Sequence, residues 1–167
     1  ILMQARTPLS LDETTSSLHD RLSQMGARLI VETVAGLADG SVVGRVQDES
    51  LVTLASKLNK EMEWLKPREQ SALEMDRRVR ALNPWPGTSI RIGGARLKIK
   101  RACLHAGLSV APGAIEDRHG MLLLGGSSGG SLELQQVQWD GKAAVDAGAF
   151  ANGLSGRGMK FPLSVDC

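Results

Sequence analysis

The spacing of apolar residues changes at Asn83-Pro84, and this change restricts what the chain can fold into. Before it, apolar residues recur every three or four positions, which is typical of an amphipathic helix. After it, apolar and polar residues alternate, as they do along strands that have one buried face. The proline also drives the residue before it out of the helical region. The sequence therefore predicts helices first and short strands afterwards.

The first helix is predicted to begin at Thr14 or Thr15, which are suitable N-cap residues, and to stop at Gly40. Residues 1–4 are predicted to be the end of a strand. A strand and one helix of about 24 residues are too little to fold alone. We expect the partner of the helix's apolar stripe to be missing from the chain or supplied by its remainder. The stripe consists of Leu18, Leu22, Met25, Leu29 and either Val34 or Leu37.

The segment after the first helix, residues 41–56, has no sustained period and is predicted to be an extended linker. A charged segment around Trp64 follows it. Pro67 is then predicted to lie in the first turn of a second helix that ends at Asn83-Pro84. Its buried side is predicted to carry Leu73, Val79 and Leu82.

The alternating half begins with residues 89–92 and 96–100, joined by a hairpin turn predicted at Gly93-Gly94. Leu97 and Ile99 then point to one side of the strand, and three cations point to the other, exposed side. Short strands with glycine-rich turns favour a mainly β chain, a five- or six-stranded OB-like barrel with short helices. The further predicted elements are strands at 113–117, 120–125 and 131–138 and a helix from Asp146 through Phe150 that closes at Gly153.

Positive charge is concentrated in the middle of the chain, although the whole sequence carries only +2. Residues 57–101 contain 12 Lys/Arg against 5 Asp/Glu, a net +7, whereas residues 1–56 carry −3 and residues 102–167 carry −2. Such a block is typical of a surface that binds a polyanion. The interleaved carboxylates leave a second interpretation open, a solvated face that its own salt bridges neutralise. These carboxylates are Glu61, Glu63, Glu69, Glu74 and Asp76.

The chain shows no catalytic set of its own. Residues 125–129 match the pattern G-x-S-x-G, but a strand is predicted after them, and all three histidines precede Ser127. A hairpin turn is therefore expected there rather than a hydrolase nucleophile, and no Gly-Lys-Ser/Thr follows to form a phosphate loop. The histidines lack metal-ligand spacing, so no metal site is expected. Trp85 and Trp139 are expected in the core, whereas Trp64 is left open.

The two cysteines, Cys103 and Cys167, are too few for a disulfide framework. Two idle thiols point to a reducing compartment, the cytoplasm. No apolar run approaches the length of a membrane span, and no signal peptide is evident. Because the chain begins with Ile1 rather than Met, we expect it to be the later part of a longer protein.

Residues 76–87, which read DRRVRALNPWPG, and residues 93–99, GGARLKI, resemble the C-terminal domain of the methionyl-tRNA formyltransferase family. Further segments resemble that family in the same order along nearly the whole chain. They are residues 15–22, 46–53, 55–61, 112–115, 130–135 and 141–142.

The resemblance implies a domain organisation. Residues 1–40 correspond to the end of a doubly wound α/β catalytic domain, residues 41–56 to a linker, and residues 57–167 to an OB-like tRNA-binding domain. The family transfers a formyl group from 10-formyltetrahydrofolate to the methionyl amino group of initiator tRNA. Its catalytic Asn, His and Asp have no counterpart here, and His19 aligns with the helix that closes the catalytic domain. The chain is therefore expected to be inactive alone, without a bound cofactor or metal.

The resemblance also implies the partners: initiator methionyl-tRNA, the absent N-terminal catalytic domain and no membrane, in a monomeric cytoplasmic enzyme. Phosphate contacts would position the tRNA without reading its bases. Two alternatives remain, the C-terminal module of a 10-formyltetrahydrofolate hydrolase or sugar-nucleotide formyltransferase, and a stand-alone OB-like RNA-binding module. The predicted phosphate contacts are Lys57, Lys60, Arg77, Arg78, Arg80, Arg91, Arg96, Lys98 and Lys100.

Overall fold

The computed structural model describes residues 1–166, apart from the side chain of Ser155. The chain divides into two compact units, Ile1–Lys57 and Leu58–Cys167. The first unit contains one long helix and extended segments. The second unit contains a seven-stranded sheet and two α-helices. The predicted idle thiol of Cys167 lies outside the described residues.

The first unit is built on α1, Thr15–Ala38. The Thr14 side chain accepts a hydrogen bond from the Ser17 backbone N–H, and the Ser17 side chain accepts one from the Thr14 N–H. This reciprocal cap satisfies two N–H groups that have no partner within the helix. The helix ends before Gly40, whose φ of +75° few other residues adopt. The predicted helix is confirmed at both ends.

The predicted strand at residues 1–4 is wrong. The Ile1 amino group donates to the Arg45 carbonyl at 2.7 Å, and the Arg45 N–H donates to the Ile1 carbonyl at 2.9 Å. This single pair does not extend into a ladder among the described residues. Residues 41–56 contain no α-helix or strand, and a short 3-10 helix lies at Glu49–Leu51 with Asp48 as its N-cap.

The predicted apolar stripe of α1 is only partly open to solvent. Leu18, Met25 and Leu29 are half-buried, whereas Leu22, Val34 and Leu37 are exposed. The buried residues of the helix are Thr33 and Gly36. Val42 packs against Gly36, and its N–H donates to the Gly36 carbonyl at 2.9 Å. An exposed apolar helix face of this size normally lies against another element. The exposed large apolar residues of α1 are Leu22, Ile30, Val31, Val34 and Leu37.

The second unit begins with a 3-10 helix, Lys60–Glu63, followed by α2, Ala72–Leu82. Ser71 caps α2, because its hydroxyl accepts from the Glu74 N–H at 3.2 Å and its own N–H donates to the Glu74 carboxylate at 2.7 Å. The predicted start at Pro67 is therefore five residues early. The prediction that Leu73 is buried is also wrong, since it is 40% exposed and the core contact comes from Met75. The helix ends before Asn83, as expected.

The sheet of the second unit is antiparallel throughout, in the order β1-β2-β5-β4-β3-β7, with β6 paired to β5. The predicted hairpin at Gly93-Gly94 and the three predicted later strands are confirmed. Two strands of two residues each were not predicted, because so short a segment has no period. The strands are β1 Thr88–Ile92, β2 Ala95–His105, β3 Ala114–Arg118, β4 Met121–Gly125, β5 Ser131–Trp139, β6 Val145–Asp146 and β7 Leu163–Ser164, with α3 at Ala147–Leu154.

The sheet curls until its two edges are joined through Asp166. The Asp166 N–H donates to the Arg91 carbonyl on β1 at 2.9 Å, directly after β7. The Asp166 carboxylate accepts from the N–H groups of Gly93 and Gly94 at 3.3 and 2.7 Å. Both glycines have positive φ, and in this conformation their two N–H groups point to the same Asp166 carboxylate.

The barrel encloses one apolar core, to which Met75 of α2 and Phe150 of α3 contribute. The mainly β, OB-like barrel with short helices is confirmed. The strand residues of this core include Ile90, Leu97, Ile99, Ile115, Leu122, Leu124, Leu132, Leu134 and Val137.

The G-x-S-x-G segment forms the turn between β4 and β5, as predicted. The Ser127 N–H donates to the Gln70 carbonyl at 2.8 Å, which holds the turn against the start of α2. A Cβ on Gly126 would lie 2.5 Å from the Ala72 nitrogen and 2.9 Å from the Ser71 carbonyl carbon. Glycine is required here because two stretches of backbone touch.

Gly126→Ala is expected to lower the free energy of unfolding by about 1–3 kcal/mol, because the new methyl group displaces backbone. Gly153→Ala is the matched control, since Gly153 lies in α3 with nothing within 4 Å of its Cβ position. That substitution is expected to be neutral or stabilising by up to about 1 kcal/mol. Urea unfolding of both variants measures the difference. Equal effects would contradict the close approach at Gly126.

The cap of α2 makes stability depend on pH. Hydrogen bonds from the Ser71 backbone N–H and hydroxyl hold the pKa of Glu74 below its ordinary value. A carboxyl group with a lowered folded-state pKa stabilises the fold above its unfolded pKa and loses that contribution as the pH falls through the folded pKa. Glu74→Ala is therefore expected to be less stable than the wild-type chain at pH 7, with a smaller difference near pH 3.

Urea unfolding at both pH values tests this expectation. Glu61→Ala is the control, because Glu61 is exposed and forms no salt bridge within residues 1–166. Its effect is expected to be small at both pH values. A Glu74→Ala difference that stays constant between pH 7 and pH 3 would show that the capping carboxylate is not the cause.

Candidate nucleic-acid interface

Four of the predicted phosphate contacts lie on the outer face of the β1–β2 hairpin. Arg91 of β1 is directly opposite Arg96 of β2, and Lys98 is opposite Ser89. Directly opposed residues of an antiparallel pair share a face. Lys100 follows Lys98 on β2, just before a bulge in the pairing with β5. The alternation along β2 is confirmed, because Leu97 and Ile99 are buried. The three cations on the other side of the strand are half-buried, not exposed as predicted.

Trp64 lies on the same face, where it forms a parallel bridge with Ser89. The guanidinium carbon of Arg91 lies 4.4 Å from the centroid of the indole ring, and that of Arg96 lies 5.8 Å from it. The electron-rich face of the indole attracts both cations. The sequence left open whether Trp64 lies in the core. In the structure its ring is half-buried and contacts two arginines of other elements.

Arg96 and Lys98 are bound to carboxylates. Arg96 forms a salt bridge with Glu63, which is only 6% exposed, and its Nε donates to the Ser89 hydroxyl at 3.1 Å. Lys98 pairs with Asp140 at 3.2 Å, and Asp140 also lies 3.9 Å from Arg96. For these two cations the salt-bridge interpretation holds. Arg96 and Lys98 each have a carboxylate partner that offsets their charge.

The three arginines of α2 differ in their surroundings. Arg80 pairs with Asp76 one turn earlier at 2.9 Å. Arg78 donates to the Met62 carbonyl and so ties α2 to the 3-10 helix, while its Nε is buried without a hydrogen-bond partner in the described structure. Arg77 is exposed, and its charge acts on the nearby Glu74 carboxylate. Only Arg77 presents its cation to solvent.

Five of the nine predicted phosphate contacts form no salt bridge within residues 1–166, so no carboxylate neutralises their charge. Lys57 is the last residue of the first unit, and the other four belong to the second. Three further cations of the same charge block were not predicted, and one of them, Lys66, is paired with Glu69. Arg101 is exposed at the bulge of β2, and Arg68 is exposed with its Nη2 3.4 Å from the Ser164 hydroxyl. The five are Lys57, Lys60, Arg77, Arg91 and Lys100.

Other candidate groups take no part in this face. Gln135 Nε2 donates to the Cys103 sulfur at 3.3 Å, and burial together with Glu133 raises the pKa of the Cys103 thiol. The thiol is thus protonated and idle near neutral pH. Trp139 packs on Phe150 with 5.7 Å between ring centroids. Trp85 is 57% exposed, so its predicted core position is wrong, because the turn between two prolines lifts it away from the barrel.

The part of the chain that the structure describes has neither a metal-binding cluster nor a membrane-spanning helix. It holds no group of three or more His, Cys, Asp or Glu side chains that could bind a metal ion. None of its helices is both long enough and apolar enough to cross a membrane.

Arg96→Met is expected to lower the free energy of unfolding by about 2–3 kcal/mol, because it leaves the buried Glu63 carboxylate without its cation. The double variant Arg96→Met, Glu63→Gln is expected to recover part of that loss. Lys98→Met is the control, since its partner Asp140 is half exposed and such pairs contribute about 1 kcal/mol or less. A double-variant cycle by urea unfolding measures the coupling. No coupling between Arg96 and Glu63 would contradict the salt bridge.

Comparison with known proteins identifies the family to which the chain is similar. The formyl transferase, C-terminal domain family matches residues 57–155. A methionyl-tRNA formyltransferase of Pseudomonas putida (strain W619) is 39% identical over 166 residues, which cover 96% of this chain and 50% of that protein. One of Pseudomonas fluorescens (strain Pf0-1) is 37% identical over 170 residues, covering 99% of this chain and 50% of that protein. The chain spans about half the length of the curated relatives it matches.

Solved structures with the same fold include HypX from Aquifex aeolicus. Its complex with tetrahydrofolic acid has a TM-score of 0.65 at 15% identity, over 89% of this chain and 26% of that chain. A HypX variant reaches 0.67 at 16% identity, over 93% and 28%. At such identity the likeness shows the fold alone. With more than half of its residues matched by the family, the chain belongs to the formyl transferases, of which it carries the C-terminal domain.

Proposed function

We propose that this chain is the C-terminal, tRNA-binding part of a methionyl-tRNA formyltransferase. The whole enzyme transfers a formyl group from 10-formyltetrahydrofolate to the methionyl amino group of initiator tRNA. The observation that carries this proposal is the surplus of unpaired cations in a domain of this family. Relatives of that name align along almost the entire chain.

The nine predicted contacts divide into two groups in this proposal. Lys57, Lys60, Arg77, Arg91 and Lys100 contact phosphates, because their cations are accessible and have no carboxylate partner within residues 1–166. The other four, Arg78, Arg80, Arg96 and Lys98, hold the surface in shape through Met62, Asp76, Glu63 and Asp140. Phosphate contacts fix the position of the RNA, and recognition of the initiator belongs to the catalytic part of the enzyme.

The first unit has a separate place in this proposal. Residues 1–40 end the catalytic domain, and residues 41–56 link it to the barrel. The exposed apolar face of α1 packs on the sheet of that catalytic domain, which also holds the folate co-substrate and the catalytic groups. The chain alone is inactive and binds no cofactor, and the whole enzyme is a cytoplasmic monomer.

The spread of free cations favours RNA over a small substrate. A folate or a sugar nucleotide needs one compact site, whereas these cations are distributed over a 3-10 helix, α2 and two strands. A polyanion contacts such a surface at many phosphates, and its affinity falls with salt as counterions are released.

Binding to initiator tRNA over a series of salt concentrations tests the proposal. Log affinity is expected to fall linearly with log salt, with a slope of about −0.9 for each phosphate contact. Arg77→Glu and Lys100→Glu are each expected to weaken binding at low salt and to make the slope shallower by about one contact. Arg77 is exposed, Lys100 is half-buried, and neither has a salt bridge among the described residues, so folding is expected to be preserved.

Lys160→Glu is the control, because it changes the net charge equally at an exposed position outside the basic block. Its tRNA affinity is expected to stay close to that of the unmodified chain. Absence of binding at low salt, where surface electrostatics are strongest, would refute the proposal. An equal loss in Lys160→Glu would show that net charge, rather than this face, determines binding.

A further inference from the structure

A groove runs beside Trp64 on the second unit. Its volume is about 370 Å³, and its lining includes Trp64, Leu65, Pro67, Arg68, Arg91 and Val165. Pockets for small molecules span roughly 300–1,000 Å³. This groove therefore has room for one planar group with its substituents, but not for a duplex or a folded peptide.

The free charge of the groove is positive. Lys66 neutralises Glu69 at 3.1 Å, and the one remaining carboxylate, Asp166, which accepts two backbone N–H groups of the hairpin turn, faces two arginines. Arg68 and Arg91 have no carboxylate partner in residues 1–166. Two guanidinium groups thus flank the groove and are complementary to an anion such as a phosphate.

Both guanidinium groups are held before any ligand arrives. Arg91 lies on the indole of Trp64 at 4.4 Å from the ring centroid. Arg68 lies over Gly113, where a Cβ would be 3.2 Å from its Cγ, and its Nη2 is 3.4 Å from the Ser164 hydroxyl. The φ of +77° at Gly113 and the absence of a side chain leave space for the Arg68 side chain. A site held in this way loses less entropy on binding.

We propose that this groove binds a single unpaired nucleotide of the RNA. Its phosphate pairs with Arg68 and Arg91, and its base packs against the Trp64–Arg91 stack and the apolar wall of Leu65 and Val165. Bases stack on indole rings and on guanidinium planes whatever their identity. The inference rests on the proposed function, because it names which part of the RNA reaches this surface.

A nucleotide explains both features of the groove together. An acidic peptide would use the two cations but not the planar stack. A paired base would present only its backbone, since its faces are covered by its neighbours in the duplex. An unpaired nucleotide combines one anionic group with one exposed aromatic face.

Titration of the isotope-labelled chain followed by NMR provides the first test. The chain has three tryptophans, so three indole N–H signals report separately on Trp64, Trp85 and Trp139. A nucleoside 5′-monophosphate and a single-stranded trinucleotide are expected to shift the Trp64 signal and leave the other two unchanged. Inorganic phosphate at the same concentration is expected to cause a smaller shift. No shift of Trp64 with either nucleotide probe, or an equal shift with a polyglutamate peptide, would overturn the inference.

Variants provide the second test in the tRNA salt series. Trp64→Leu is expected to weaken tRNA binding about tenfold, whereas Trp64→Phe keeps an aromatic face and most of the affinity. Trp85→Leu is the matched control, an exposed tryptophan outside the groove, and is expected to bind as the unmodified chain does. Arg68→Ala is expected to make the salt slope shallower by about 0.9. Because Arg68 is exposed, this variant does not depend on the packing of Trp64.

The outcomes separate the two proposals. If Lys100→Glu weakens tRNA binding while Trp64→Leu and Arg68→Ala do not, the groove inference is wrong and the proposed function stands. If the unmodified chain binds no tRNA but nucleotides shift Trp64, the proposed function fails and the RNA assignment of the groove fails with it. Loss in both Trp64→Leu and Arg68→Ala, with Trp85→Leu unchanged, supports the inference.

Discussion

The basic face of the barrel depends on the pairing of Arg96. Its guanidinium joins the buried Glu63 carboxylate of the 3-10 helix to the Ser89 hydroxyl of β1. Arg91 lies directly opposite Arg96, and two like charges in such a pair repel each other. Neutralisation of Arg96 by Glu63 removes most of this repulsion. The hairpin can then carry both arginines, and Arg91 stays free to lie on Trp64.

The net charge of +7 in residues 57–101 thus conceals two populations of cations. One population is structural, since Arg80, Arg96 and Lys98 each have a carboxylate partner. The other consists of cations that form no salt bridge within residues 1–166. Under the proposed function, the two interpretations of the block, a polyanion surface and a salt-bridged surface, apply to different residues.

Local chemistry made much of the fold predictable. Gly93-Gly94 and the alternation around Leu97 predicted the hairpin, because a two-residue turn and a one-sided strand leave clear patterns. The start of α2 was missed because the Ser71–Glu74 cap, and not Pro67, determines it. That shift in the start also misplaced Leu73.

Contacts between distant residues explain what the sequence could not reveal about the site. Asp140 neutralises Lys98 from the end of β5, and Trp64 meets Arg91 across elements separated by a helix. A count of charges in sequence includes neither contact, so it cannot separate the paired cations from the unpaired ones. Closure of the barrel by Asp166 was equally hidden, because β7 contributes only two residues and has no period.

Closure of the barrel and formation of the groove are physically linked. Asp166 accepts the N–H groups of the hairpin turn and donates its own N–H to the Arg91 carbonyl, beside which Val165 lines the groove. The groove wall therefore combines the start of the second unit, the first hairpin and the last strand. It exists only while these segments are held together. A ligand that binds the complete groove and not the unfolded chain must stabilise the closed barrel by RT ln(1 + [L]/Kd), where [L] is the free ligand concentration. In the proposed site, anion binding at Arg91 therefore stabilises the closure at Asp166, and loss of that closure would weaken anion binding.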